Sequence, residues 1–135
     1  MANILAFREE GDVVVVDVTG TLTGENSALL RDLLQELAEA GYKNVLLNMA
    51  GITRIDMAGI LQLVAGYASL ARVNGTLKLL SPRKPVKCVL RIAKLDSVFE
   101  QYEQEHAAVL SFISPTRKEL EAISQGRLPS DAYLG

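Results

Sequence analysis

The stretch Asn44–Leu61, "NVLLNMAGITRIDMAGIL", decides how the chain is read. It opens on Val45-Leu46-Leu47 with Met49, a short apolar run of strand type. It closes on Ile55-Asp56-Met57-Ala58-Gly59-Ile60-Leu61, an acid followed by small residues and an amphipathic run. That order is the mouth of a helix, because Asp56 can accept bonds from the free N–H groups of a first turn. The residues between, "AGITRID", read as a loop. From Met57 onward Ile60, Leu61, Leu63, Val64, Tyr67, Ala68 and Ala71 recur at helical spacing, with Gln62, Ser69 and Arg72 on a polar side. Asn74-Gly75 ends the helix.

Upstream, the chain reads as a hairpin. Ile4, Ala6 and Arg8 alternate with Leu5 and Phe7, a turn falls near Glu10-Gly11-Asp12, and Val13 to Val18 return as a buried strand. Thr19 to Gly24, "TGTLTG", is a loop by composition. Asn26 or Ser27 can cap a helix carrying Leu29, Leu30, Leu33, Leu34 and Leu37, which Gly41 stops.

Downstream, Thr76 to Leu80 is a strand. Ser81-Pro82 opens a third helix, with Pro82 or Pro85 in its first turn and Val86, Val89, Leu90 and Ala93 on its core face. Val98-Phe99 adds a short strand, and Glu103 to Phe112 a last helix. From Ser114 the composition turns polar. Thr116 and Glu119 form a capping-box pair, so a short helix over 117–124 is expected in a tail outside the core sheet, the alternative being a helix docked through Leu120 and Ile123. The domain division is therefore 1–113 for the domain and 114–135 for the tail.

An opening hairpin followed by alternating helices and strands makes a mixed sheet, and right-handed crossovers place the helices on it. The single apolar stripe of the helix after Asp56 favours helices on one face. The fold class is α/β: a mixed β-sheet with helices mainly on one face.

Composition narrows the function. With 14 basic and 16 acidic side chains the net charge is −2, which gives nucleic acid no basic footprint. No apolar run approaches the ~20 residues that insert into a bilayer, and the N-terminus meets charges too early for a secretory signal. One cysteine cannot form an internal disulfide, so a cytoplasmic setting is expected.

Catalysis finds little footing. His106 stands outside any cluster and reads as a surface residue. Cys88, beside the apolar face of the third helix, reads as a small half-buried thiol without a base. No phosphate-binding glycine loop, dinucleotide fingerprint or zinc-ligand spacing is present, so no metal and no cofactor are expected. A phosphoacceptor receiver domain needs an acidic pair and an aspartate ending its third strand. Here Asn48 stands near that strand's end, and no acidic pair follows "VVVVDV". On the residues alone, Asp56 is either an N-cap with packing at Ala58 and Gly59, or part of a surface that a phosphate or another backbone approaches closely.

The run "NVLLNMAGITRIDMAGILQLVAGYASLARVNGTLKLLSPRKPVKCVLRIAKLDSVF" resembles the STAS domain, and most of all the bacterial anti-anti-sigma factors (anti-sigma factor antagonists). Asp56, Gly59, Gly75, Ser81-Pro82 and Leu95-Asp96-Ser97-Val98-Phe99 fall where that pattern places them. The family fold has its helices on one side of a mixed sheet. The resemblance implies a non-enzymatic regulator that binds an anti-sigma factor with a serine-kinase-like ATPase fold. In the family, the second serine of Asp-Ser-Ser-Gly takes a phosphate, adding about −1.5 to −2 charges and releasing the partner.

This chain carries Met57 and Ala58 in place of both serines, and Asn48 in place of the strand-three acid. The phosphoacceptor-equivalent position, Ala58, cannot be phosphorylated. The expected partner surface comprises Thr23, Thr53, Arg54, Asp56, Met57, Ala58, Gly59 and Gln62. Thr21, Thr23 and Thr53 are the hydroxyls to which a switch could have moved, though loop hydroxyls more often serve turns and caps. The alternatives are a STAS subunit or scaffold docking on a membrane transporter, and a nucleotide-sensing STAS domain. A homodimer is compatible with either.

Overall fold

The computed structural model describes residues 3–24 and 28–113. The elements run β1 (Asn3–Glu10), β2 (Val13–Leu22), α1 (Ala28–Glu39), β3 (Asn44–Ile55), α2 (Met57–Ala71), β4 (Thr76–Leu80), α3 (Lys84–Ile92), β5 (Gln101–Tyr102) and α4 (Glu105–Ile113). Glu10 pairs with Val13 across a tight turn, so β1 and β2 form the expected antiparallel hairpin. The remaining pairs are parallel, and the sheet order is β1-β2-β3-β4-β5.

Strand alternation divides the core in two. Val14, Val16 and Val18 of β2, Val45, Leu47 and Met49 of β3, and Leu77 and Leu79 of β4 share one face. Three helices cover it, through Leu30 and Leu34 of α1, Ile60, Leu63 and Leu70 of α2, and Val86 and Leu90 of α3. Val13, Val15, Leu46 and Leu80 point the other way and meet Ala108, Val109 and Phe112 of α4. Three helices against one is the mixed sheet with helices mainly on one face.

Two segments expected to be loops are strand. Residues 19–22 and 51–55 pair with each other, Thr19 with Gly51 and Leu22 with Ile55, with one register shift before Thr19 and another between Gly20 and Thr21. Leu22 and Ile52 are fully buried and Ile55 nearly so. Their glycines and threonines look like turn residues one at a time, but long-range parallel pairing and three buried aliphatics outweigh local preference.

Val98-Phe99 is not a strand. The N–H groups of both residues donate to Leu95 O, closing a turn that buries Phe99, and β5 begins two residues later. Ser81 has φ 52°, so the third helix starts only at Lys84, with Pro85 in its first turn. The last helix starts at Glu105 rather than Glu103. Cys88 is exposed, because α3 turns Val86 and Leu90 inward and leaves position 88 outside. The expected caps at Asn26 and Ser27 and every expectation for residues 114–135 lie outside the described residues.

Helix α2 departs from a single apolar stripe. Gly59, Ile60, Leu63, Gly66 and Leu70 face inward. Leu61, Val64 and Tyr67, part of the expected apolar stripe, face outward, with exposures of 58%, 36% and 36%. The two glycines account for the shift. A Cβ on Gly66 would collide with the Leu34 side chain, so α1 and α2 approach on that side and the helix turns its larger residues away.

Candidate functional site: the mouth of helix α2

Asp56 is extended (φ −116°, ψ −175°), the usual N-cap conformation. Its carboxylate works in two directions. Oδ1 accepts the Gly59 N–H at 2.9 Å, inside the first turn. Oδ2 accepts the Gly24 N–H at 3.1 Å, from the loop after β2. The Asp56 N–H donates to Leu22 O at 3.3 Å. One residue thus ties the ends of β2 and β3 to the start of α2. The Gly59 N–H foremost, with that of Gly24, holds the Asp56 carboxyl below its ordinary pKa.

Gly59 has a structural role here. A Cβ would collide with Leu22 O and lie 2.8 Å from Ile55 Cγ1. The backbone that approaches it closely is the chain's own strand β2.

Around this cap the expected site residues gather, with different surroundings. Thr53 Oγ1 donates to Gly20 O at 3.3 Å, a bond that braces the β2–β3 extension. Thr23 is half-buried in the adjoining loop, and Arg54 is exposed. Met57 is 56% exposed. Ala58 is half-buried one residue on, in the first turn. Gln62 lies one turn further, and its buried Oε1 has no hydrogen-bond partner among the described residues.

Met57, Leu61 and Val64 follow one another at helical spacing on the outer side of α2, all at least one-third exposed. This apolar stripe begins at the mouth, and helical spacing in the sequence does not separate it from the core positions beside it. Gly59 and Gly66, seven residues apart beside Ile60 and Leu63, are the signal that could have found it.

Asn48 does not belong to this site. It lies on the α4 face and donates from Nδ2 to Asp17 Oδ1 at 2.8 Å. Asp17 also accepts from Arg8 Nε and Nη2, both at 3.1 Å, and Arg8 Nη2 reaches Glu105 Oε1 at 2.6 Å. The Arg8 guanidinium chiefly holds both carboxyls below their ordinary range. This network fastens α4 to the hairpin.

Among the described residues no group of His, Cys, Asp and Glu could hold a metal ion, and no helix is long and apolar enough to cross a membrane. His106 is exposed. The mouth offers a fixed carboxylate, small residues and an apolar stripe, which together can receive a protein surface.

The family model described as the STAS domain matches residues 5–108. An anti-sigma factor antagonist from Mycobacterium paratuberculosis superimposes with a TM-score of 0.71 at 18% identity, covering 82% of this chain and 93% of that one. The anti-sigma factor antagonist SpoIIAA in its unphosphorylated form gives 0.59 at 19% identity, over 92% of this chain and 100% of that one. The murine anion transporter of solute carrier family 26, in its inward-facing state, gives 0.65 at 20% identity, over 76% of this chain and 18% of the transporter. At these identities each likeness is one of fold.

Proposed function

This chain belongs to the STAS domain family, and from that premise we propose that it is a non-enzymatic partner-binding regulator of the anti-sigma factor antagonist type. Its partner is an anti-sigma factor with a serine-kinase-like ATPase fold. The observation that carries the reading is the outward stripe Met57-Leu61-Val64, continuous with the capped mouth at Asp56. Large apolar side chains grouped around a rigid element, rimmed by Arg54 and Thr53, have the make-up of an interface core with a polar rim.

Ala58 stands at the phosphoacceptor-equivalent position, in the first turn of α2. It has no hydroxyl, so the partner-competent surface stays uncharged whatever kinase is present. The protein then acts as an antagonist that a kinase cannot switch off. Phosphoryl transfer tests this directly. The wild-type chain, incubated with purified anti-sigma factor kinases of its source organism and ATP, gains no phosphate within residues 53–59 by mass spectrometry. Ala58→Ser gains one there. Phosphate on wild-type Thr53, or none on Ala58→Ser with any kinase, contradicts the assignment.

The similarity in fold to 18% of an anion transporter's chain supports a second reading, docking on a transporter's cytoplasmic side. The two separate by co-purification: the first recovers an ATPase, the second a membrane subunit.

A further inference from the structure

Lys78 is the central residue of β4 and points to the α4 face. Its neighbours on that face, Leu46 and Leu80, are aliphatic. The lysine is only 7% exposed, the one buried charged residue among those described. Its Nζ donates to Ser111 Oγ at 2.9 Å and pairs with Glu100 Oε2 at 2.8 Å. The Phe112 ring centre lies 4.5 Å away and that of Tyr102 5.7 Å. Ser111 spends its own proton on Ala108 O, so it offers Lys78 only an acceptor.

The surroundings are open on one side. Edge strand β5 pairs with Leu79 and Leu80, so among the described residues β4 has no outer neighbour before Leu79. A groove of about 690 Å³ fills that place, with Lys78 in its lining. Tyr67, Val98, Tyr102 and Phe112 line its sides. The volume lies in the range of small-molecule sites, and apolar walls around a few fixed polar groups are their usual make-up.

The fold has no need of this charge. A buried ion pair seldom stabilises more than an apolar residue of similar volume, and the adjoining positions are already aliphatic. The two partners of Lys78 also differ in permanence. Ser111 is held within α4. Glu100 stands at the groove's rim with its side chain 60% exposed, a counter-ion free to swing into water.

We infer that this groove is a binding site for a small aromatic carboxylate. The ligand's carboxylate replaces that of Glu100 at Lys78 Nζ, like for like, so the ammonium is never left unpaired. The flat body of the ligand lies against Tyr102, Phe112, Tyr67 and Val98, where aromatic stacking adds to the area buried. The site shares no residue with the proposed partner surface, so the two stand or fall separately.

The test is an amide-resolved NMR titration of the full chain with naphthoate, with neutral naphthamide as control. Saturable shifts are expected at residues 76–78, 97–102 and 111–112, with naphthamide much weaker. Lys78→Met should bind about tenfold more weakly or worse while melting at the same temperature or higher, which a merely structural lysine would not do. Glu100→Gln removes the competing carboxylate and should bind severalfold more tightly, and it decides the matter if Lys78→Met does not fold. Unsaturable shifts, shifts centred on Met57, Leu61 and Val64, equal binding of naphthamide, or weaker binding by Glu100→Gln would overturn the inference.

Discussion

Under α1, α2 and α3 the sheet presents Val14, Val16, Val45, Leu47, Leu77 and Leu79 without interruption. Under α4 it presents Val13, Val15, Leu46 and Leu80, interrupted by Arg8, Asp17, Asn48 and Lys78. The first face is held by close packing of aliphatic groups. The second, covered by one helix, adds the Arg8 bonds to Asp17 and Glu105 that fasten that helix to the hairpin. The difference teaches where this domain can change. Substitution of a buried aliphatic creates a cavity or clash on either face, whereas the polar positions of the second face can exchange one set of pairings for another.

The largest effect should come from the first face. Leu63 is fully buried in α2, and Leu63→Ala should lose about 2–5 kcal/mol in urea unfolding, through lost transfer energy and the cavity left behind. A loss under 1 kcal/mol, on the order of a surface change, would mean that α2 is not seated as described.

Next is Gly59→Ala. The added methyl meets Leu22 O and Ile55, and the backbone must shift, so about 1–3 kcal/mol should be lost. The same measurement on Ala58→Gly, one position earlier and half-buried, should show no clash.

On the second face Arg8→Met should cost at most about 1 kcal/mol at neutral pH, because its side chain is more than one-third exposed. Its pH dependence is the sharper test. Asp17 and Glu105 are held below their ordinary values of 3.8 and 4.5, chiefly by hydrogen bonds from Arg8. A folded-state pKa below the unfolded one gives stability that is complete above the unfolded value and lost as pH falls through the folded one. The gap between wild type and Arg8→Met should therefore be full above about pH 5 and close as the solution is acidified. A gap that widens in acid would contradict the network.

The first face was legible in the sequence because its signals are local and periodic. Leucines at helical spacing in α1, the β-branched run of β2 and the apolar run of β3 declare an apolar face without reference to anything distant. The hairpin, the three crossover helices and the Asp56 cap followed from that. What was missed depends on partners far away in the chain. Arg8 and Glu105 are 97 residues apart, and neither carries a mark of the other. The strand character of 19–22 and 51–55 arises only when those segments meet. Leu61 and Val64 went to the wrong side because an apolar residue at helical spacing reads as core unless the glycines beside it are weighed. The candidate site was legible as a helix mouth at Asp56, but its apolar stripe was not.

The proposed surface predicts the smallest change in stability and a large change in binding. The N-terminal end of the α2 dipole tolerates a negative charge at position 58, so Ala58→Glu should unfold within about 0.5 kcal/mol of wild type. Across an interface that charge must be desolvated beside Met57 and Leu61. The most direct test is therefore calorimetric titration of wild type and Ala58→Glu against the purified anti-sigma factor kinases of the source organism, with both melting temperatures recorded. The account predicts that one kinase binds the wild type and binds Ala58→Glu at least about tenfold more weakly, with the melting temperatures nearly equal. Equal affinity for the two proteins would place the partner elsewhere on the domain, and a collapsed melting temperature for Ala58→Glu would show that position 58 serves the core.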